Sequence, residues 1–390
     1  MKIIEIQAYL VRIPLKKEIR HASHSRTSTD NVIVRCKLED GTLGFGEGVP
    51  REYVTGESAE SVLEHLKAGK LEEYLEDWVN YETAVRKIEK IPFPAIAGDH
   101  RDCQGNAARA AFELALLDAY GKVFKRPVSH VTEILTPNLY EPKATVRYSG
   151  AITSAKGFKA KLAGWKMRLY GFKQVKVKVG IAGYDDVERL RAIRSRLGTK
   201  IDVRLDANEA WSVQETPQKI RELEPFGITS VEQPVAHENI EGLAAIRSQI
   251  KTPLMFDESL CSLVDAQRAI DHKLCDLFNL RISKCGGFIR TLRLAELAMN
   301  CGLGYQLGCQ VGETAVLSAG GRHFASSVKG IRYWEGSYDS HLVKEALGTR
   351  DITFGYGGKA PALEGPGLGI EIDPAALDRV TLRKEVLFVR

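Results

Sequence analysis

Residues 174–180, Gln174-Val175-Lys176-Val177-Lys178-Val179-Gly180, alternate valine with lysine in a short β-branched run, and runs of the same kind return downstream. The successors are Ile201 to Ala207, Ser230 to Pro234, Leu254 to Glu258 and Leu277 to Lys284, each with a charged residue near its end: Asp206, Glu232, Asp257 and Lys284. Counted from Lys178 the separations are 28, 26, 25 and 27 residues, one strand and one helix each time. Five successive strands of a parallel barrel therefore deliver one charged group each to the same rim. Charge repeated so regularly at strand ends is costly unless it is used.

Working outward, further barrel strands are expected near Thr145 to Gly150, Tyr305 to Gly308 and Ile331 to Glu335, with helices such as Asp185 to Leu197 between strands. Met1 to Pro50 alternates in strand fashion, and Asp30 to Leu38, the turn Glu39-Asp40-Gly41 and Leu43 to Glu47 form a hairpin. From Ser58 to Gly121 the apolar spacing becomes helical. Ala107, Ala108, Ala111, Leu114, Ala115 and Leu117 mark a helix of small residues suited to close packing, until Asp118 interrupts it. Strands followed by helices make an α+β unit. The tail from Leu342 is rich in glycine and proline, as in Gly355-Tyr356-Gly357-Gly358, and reads as an extended return path to the first unit. The expected organisation is an α/β chain with an α+β domain over 1–130, a barrel over 140–340 and a returning tail over 341–390.

The chain has 390 residues, 44% of them hydrophobic. That suffices for a barrel of about 250 residues and a second domain of roughly 100 to 150. Its 55 basic and 50 acidic residues leave a net charge of +5 without basic runs, which argues against nucleic acid as a partner and fits a small anionic ligand. Met1 to Pro14 reads as a half-buried strand rather than a signal peptide, and no run of 18 apolar residues exists, so a soluble chain with no membrane partner is expected. Seven cysteines without a CxxC motif argue against a disulfide framework or zinc site and for a reducing cytoplasm.

Asp206, Glu232 and Asp257 brought to one rim repel one another unless a proton or a cation intervenes. Oxygen-only ligands without histidine or cysteine favour Mg²⁺, with Mn²⁺ as a stand-in. Solvated strand-end acids are the plainer reading of each residue alone, and matched spacing argues against it for all three. Lys176 and Lys178 share a strand face opposite the valines, which places both inside the barrel, where each lowers the other's pKa and moves one towards a general base. Lys284, from the sixth strand, is expected to face Lys178 across the mouth. A metal between two opposed amines suits removal of a proton next to a carboxylate through an enediolate, with inversion at carbon if both amines work.

These residues resemble the enolase superfamily and, within it, the muconate lactonizing enzyme subgroup. The resemblance is carried by Asp40 to Glu47, Ala110 to Asp118, Lys176-Val177-Lys178, Asp206-Ala207-Asn208, Glu232-Gln233-Pro234, Asp257-Glu258-Ser259 and Lys284-Cys285-Gly286-Gly287. It implies a modified TIM barrel, (β/α)₇β, under a capping domain built from both chain ends, and a homo-oligomer. It implies metal on Asp206, Glu232 and Asp257, acid/base roles for Lys178 and Lys284, support from Lys176, and orienting roles for Asn208 and Glu258. The mandelate racemase branch carries a histidine and aspartate dyad where this chain has Lys284, which disfavours acid-sugar dehydration of that kind. Candidate substrate contacts are His21, His24 and Arg26, Tyr53 in the segment Pro50 to Glu57, and Glu335 and Asp339 near the eighth strand.

Tyr53 to Glu57 is similar to the corresponding segment of dipeptide epimerases. The resemblance thus implies racemisation or epimerisation of an N-acyl amino acid, dipeptide or amino acid derivative. Dipeptide epimerases carry an Asp-x-Asp pair where this chain has Glu335-Gly336-Ser337-Tyr338-Asp339, a departure that bears on the dipeptide as substrate. The same metal and lysine constellation also serves a muconate-type cycloisomerase or an o-succinylbenzoate-type dehydratase. A barrel that binds small acids without catalysis is the reading from another class; degraded metal ligands would mark it, and none is degraded here.

Overall fold

The alternation at the start of the chain becomes an antiparallel sheet in the computed structural model, which describes residues 1–20, 25–70 and 77–390. His21 and His24 lie outside the described residues. The first three strands are β1 (Ile3–Arg20), β2 (Ser25–Leu38) and β3 (Leu43–Gly48), with Ala8 opposite Val34 and Val34 opposite Gly46. The helix Asn106–Val123 lies on this sheet. Gly44, Gly46 and Gly48 share one face of β3 and meet Ala115, Ala111 and Ala107, one helical turn apart. A Cβ on these glycines would come within 2.3, 2.0 and 2.1 Å of the three alanine carbonyl oxygens.

Asp118 does not interrupt that helix, which continues to Val123. Its buried carboxylate accepts from the Phe45 N–H (2.9 Å) and the Leu368 N–H (2.8 Å) and faces Lys122 at 3.0 Å. The polar residue in an apolar stripe thus pegs the hairpin and the tail to the helix, its lone pairs satisfied.

The expected first barrel strand begins late. Thr145–Arg147 (β4) pairs antiparallel with Lys359–Pro361 from the tail, Val146 opposite Ala360, and the first barrel strand is β5 (Gly150–Ile152). Then follow β6 (Gln174–Lys178), β7 (Asp202–Asp206), β8 (Ile228–Glu232), β9 (Leu254–Phe256), β10 (Leu277–Leu280), β11 (Gly304–Leu307) and β12 (Ile331–Trp334). These eight pair in parallel and in chain order. The sheet curls until the Ser149 N–H donates to the Trp334 carbonyl at 2.8 Å, beside its first and last strands. Helices lie between the strands, among them Asp186–Leu197, whose first turn is held by the Asp185 carboxylate on the Glu188 N–H. This is a (β/α)₇β barrel.

The tail supplies β13 (Lys359–Pro361) and β14 (Thr381–Val389), and β14 completes the first sheet by pairing with β1. Both chain ends therefore build the cap. Glu47, buried in β3, joins cap to barrel: its carboxylate accepts from Asn31 Nδ2 (2.7 Å), the Thr314 N–H (3.0 Å) and the Leu317 N–H (2.9 Å). No helix among the described residues is long and apolar enough to cross a membrane.

Candidate active site

Parallel pairing sets the level of the rim. Lys178 lies opposite Asp206 and Asp206 opposite Glu232, while Glu232 lies opposite Met255, so Asp257 stands two residues further on the same face. All three acids are buried, at 1%, 0% and 0% exposure. Above them opens a cavity of about 190 Å³ lined by Lys176, Lys178, Asp206, Asn208, Glu258 and Glu335 from the barrel and by Arg51 and Tyr53 from the cap.

The two lysines of β6 have different surroundings. Lys176 meets Glu335 at 2.8 Å, Asp206 at 3.2 Å and Glu232 at 3.6 Å. Burial alone would lower its pKa, but Glu232, Glu335 and Asp206 outweigh burial and hold it well above the usual lysine value. The expected mutual depression of the two amines is therefore not what governs Lys176, a fixed ammonium tied to acids. Lys178 reaches the cavity and donates to Asn208 Oδ1 at 2.6 Å, and Asn208 Nδ2 lies 3.4 Å from Glu258 Oε1. Asn208 has φ 43°, a left-handed conformation that asparagine tolerates better than most residues.

Across the cavity the structure departs from expectation. Lys284 does not face Lys178. Its ammonium is 0% exposed and donates to the Asp257 carbonyl (2.7 Å), Asp257 Oδ1 (2.9 Å) and the Asn279 carbonyl (2.9 Å). Arg281 lines the cavity instead, ion-paired with Asp257 and 3.7 Å from Glu232. The reason is local: β10 ends at Leu280 and the chain turns through 282–286, so alternation along a strand no longer decides where 284 points.

The charges explain one another. Glu232 is pushed up to about 8 by burial, against Lys176 and with Asp206 adding to the rise. Burial would also raise Asp257, but Arg281 and Lys284 outweigh it and hold the carboxyl well below the usual range. Glu258 is driven well above its ordinary value by burial and the neighbouring Asp257. Glu335 is held at about 2, Lys176 and Arg204 overcoming burial, and Arg204 Nη2 lies 2.6 Å from it. Glu335 thus lines the cavity with its oxygens already engaged by these cations. Among the described residues, the one trio of acid, Cys or His side chains whose ligand atoms fall within 4.8 Å of each other is Glu209, His237 and Glu238, on the surface side. The three rim acids stand wider, with Lys176 and Arg281 beside them. A buried oxygen donor set that leaves Glu232 hard to ionise fits a hard divalent cation, which would lower that carboxyl.

Asp339 does not reach the cavity. It opens the short helix Asp339–Leu342 and its carboxylate accepts from the Ser318 hydroxyl, while the adjacent Tyr338 and Leu342 face the cavity. Tyr53 lines the cavity, with the Arg26 guanidinium, which does not line it, 5.6 Å from the Tyr53 ring centroid. Arg51 and Arg281 were not singled out from sequence. Arg51 is buried, held by the Pro50 carbonyl (2.5 Å), Thr29 Oγ1 (3.0 Å) and the Val311 carbonyl (2.5 Å), and its value drops to about 10 through burial and the nearby Arg26.

Residues 160–376 match the enolase C-terminal domain-like family, and residues 3–132 match the mandelate racemase / muconate lactonizing enzyme N-terminal domain. The chain is 31% identical to an N-succinyl-L-Arg/Lys racemase of Bacillus cereus over 99% of its own length and 100% of the relative's. The crystal structure of that racemase superposes with a TM-score of 0.85. A hydrophobic dipeptide epimerase of Enterococcus faecalis is 30% identical, with 95% and 99% covered. The dipeptide epimerase of Cytophaga hutchinsonii, solved with Mg and D-Ala-L-Val, is 26% identical, with both chains fully covered and a TM-score of 0.83. Fold, rim and sequence agree, and the chain belongs to the muconate lactonizing enzyme subgroup of the enolase superfamily, alongside racemases and epimerases.

Proposed function

We propose that the chain removes the proton alpha to a carboxylate through an enediolate, with Lys178 as base, from an N-acyl amino acid, dipeptide or related derivative; return of a proton on the opposite face racemises or epimerises that substrate, and return on the same face exchanges the proton with solvent. One observation carries this: Lys178 and the strand-end acid Asp206 line the same cavity, with Glu232 and Asp257 buried beside Asp206 at the rim. Asp206, Glu232 and Asp257 would hold Mg²⁺, or Mn²⁺ in its place, whose chemistry when bound is to neutralise charge developing on the substrate carboxylate. Lys178 Nζ takes the proton, Asn208 fixes the position of that amine, and Glu258 steadies Asn208. Lys176 stays a cation beneath the acids, and the cap closes the cavity against water with Tyr53 and Arg51. The relatives' substrates, N-succinyl amino acids and dipeptides, set the class to try first.

The test is solvent exchange. N-succinyl amino acids, L,L-dipeptides and proline derivatives incubated with Mg²⁺ in D₂O should gain deuterium at the alpha carbon. Exchange that persists at full rate in Lys178→Ala, or is absent for every compound, defeats the proposal. Cycloisomerisation or dehydration is a second reading, and the guanidinium opposite Lys178 favours it. Product mass marks dehydration, which loses water, whereas racemisation and cycloisomerisation conserve mass and are told apart by the structure of the product.

A further inference from the structure

Lys178 ends β6 and Arg281 follows β10, four strands on in a ring of eight, so they stand on opposite sides of the cavity that both line. Lys284 cannot share that place. An ammonium has three N–H donors, and those of Lys284 are matched by three buried acceptors at 2.7, 2.9 and 2.9 Å. No donor is left to turn towards a substrate, and freeing the amine would strip the Asp257 and Asn279 carbonyls of a buried partner.

A guanidinium and an ammonium supply similar charge but different proton chemistry. Arginine keeps its proton in proteins, whereas lysine gives it up when its surroundings ask for it. We infer that Lys178 is the sole group exchanging protons with the substrate's alpha carbon, and that Arg281 is a fixed cation on the other face, so the reaction keeps to one face. This deepens the reading of alpha-proton abstraction and rests on it. When the Cα–H bond breaks, its electron pair enters the enediolate and the proton passes to Lys178 Nζ. The same amine then returns a proton to the face it left, or the electron pair expels a group from the β carbon and Lys178 protonates that group as it departs. Arg281 holds negative charge throughout without changing its own proton count. Inversion would need Arg281 to give up and regain a proton, and the reference pKa values of arginine and lysine make the neutral form about 10³-fold scarcer for arginine.

Two measurements decide this. The first follows wild type and Arg281→Lys by NMR in D₂O with one stereoisomer of each compound. Wild type should place deuterium in the starting stereoisomer, or release an elimination product, at least about 100-fold faster than it forms the opposite stereoisomer. Arg281→Lys should raise inversion relative to exchange at least tenfold. Wild-type inversion as fast as exchange overturns the inference and leaves the alpha-proton reading standing, whereas absence of exchange removes both. The second needs no substrate: reductive methylation of the folded protein, read by peptide mass, should modify Lys178 at least tenfold faster than Lys284. Equal modification places the Lys284 amine in the open and overturns the assignment.

Discussion

Gly46→Ala adds one methyl group to the hairpin of the cap, and the structure predicts a large cost. The new carbon would lie 2.0 Å from the Ala111 carbonyl oxygen and 2.5 Å from the Ala115 nitrogen. Gly46 has no positive φ, so the cost is one of space rather than backbone strain. The obstacles are main-chain atoms of a buried helix that Asp118 pins to both the hairpin and the tail, so no flexible side chain can yield. Reaching ordinary contact requires sheet and helix to part by roughly 1.4 Å, which for a well-packed core belongs at the upper end of the usual 1–3 kcal/mol for overpacking, about 3 kcal/mol. Gly321→Ala is the control. It sits inside the helix Ala315–Ser327 with no neighbouring atom within 4 Å of an added Cβ. The same chemical change there should stabilise by about 0.5–1 kcal/mol through helix propensity. Urea unfolding followed by circular dichroism reads both, and the expected gap between the two variants is about 4 kcal/mol. A Gly46→Ala variant within about 0.5 kcal/mol of wild type, the usual range for a surface substitution, or a shift of the same sign in both, refutes the packing argument.

Lys178→Ala should cut alpha-proton exchange by at least about 10²–10⁴-fold while leaving the urea midpoint near that of wild type. Lys284→Met should act the other way round on stability, losing about 3–5 kcal/mol because Asp257 keeps its burial but loses an ion-pair partner; an unchanged midpoint would deny the buried contacts seen here. Glu113 is pushed up to about 7, chiefly by burial, so the folded chain binds its proton more tightly than the unfolded chain does. Its contribution therefore weakens stability as pH rises from about 4.5 to 7, and Glu113→Gln should flatten the fall between pH 5 and 7 by up to about 1.4 kcal/mol per pH unit in urea titrations. Magnesium at a hundredfold excess over its dissociation constant should stabilise wild type by about 2.7 kcal/mol, and calorimetry should show that gain lost in Asp206→Asn.

The barrel and its rim were legible because parallel strands repeat at a nearly constant interval and because the last residue of a strand has little freedom. Lys178, Asp206 and Glu232 each close a strand, and Asp257 follows one directly. Lys284 and Arg281 were confused because the strand stops at Leu280 and a turn takes over, where period-two alternation has no meaning. The start of the first barrel strand was misplaced for a different reason. Thr145–Arg147 is a genuine strand, but its partner arrives from the far end of the chain, which local pattern cannot reveal. Asp118 looked like a break in an apolar stripe, since its partners at Phe45 and Leu368 are likewise distant in sequence. Asp339 lies past β12, where the direction of each side chain is set by tertiary contacts such as Ser318.

The attachment of cap to barrel constrains how a substrate can enter. Glu47 reaches Thr314 and Leu317, the Val49 N–H reaches Ser283 Oγ at 2.8 Å, Asn106 Nδ2 reaches the Cys261 and Lys284 carbonyls at 2.8 and 2.7 Å, and the Lys344 N–H reaches the Pro14 carbonyl at 2.9 Å. Swinging the cap like a hinged door would break these clasps together, most of them buried. Admission must instead come from local shifts at the threshold, where Tyr53 stands. Such shifts are faster than the microsecond-to-millisecond travel of whole domains, so product need not wait on a slow opening before it leaves.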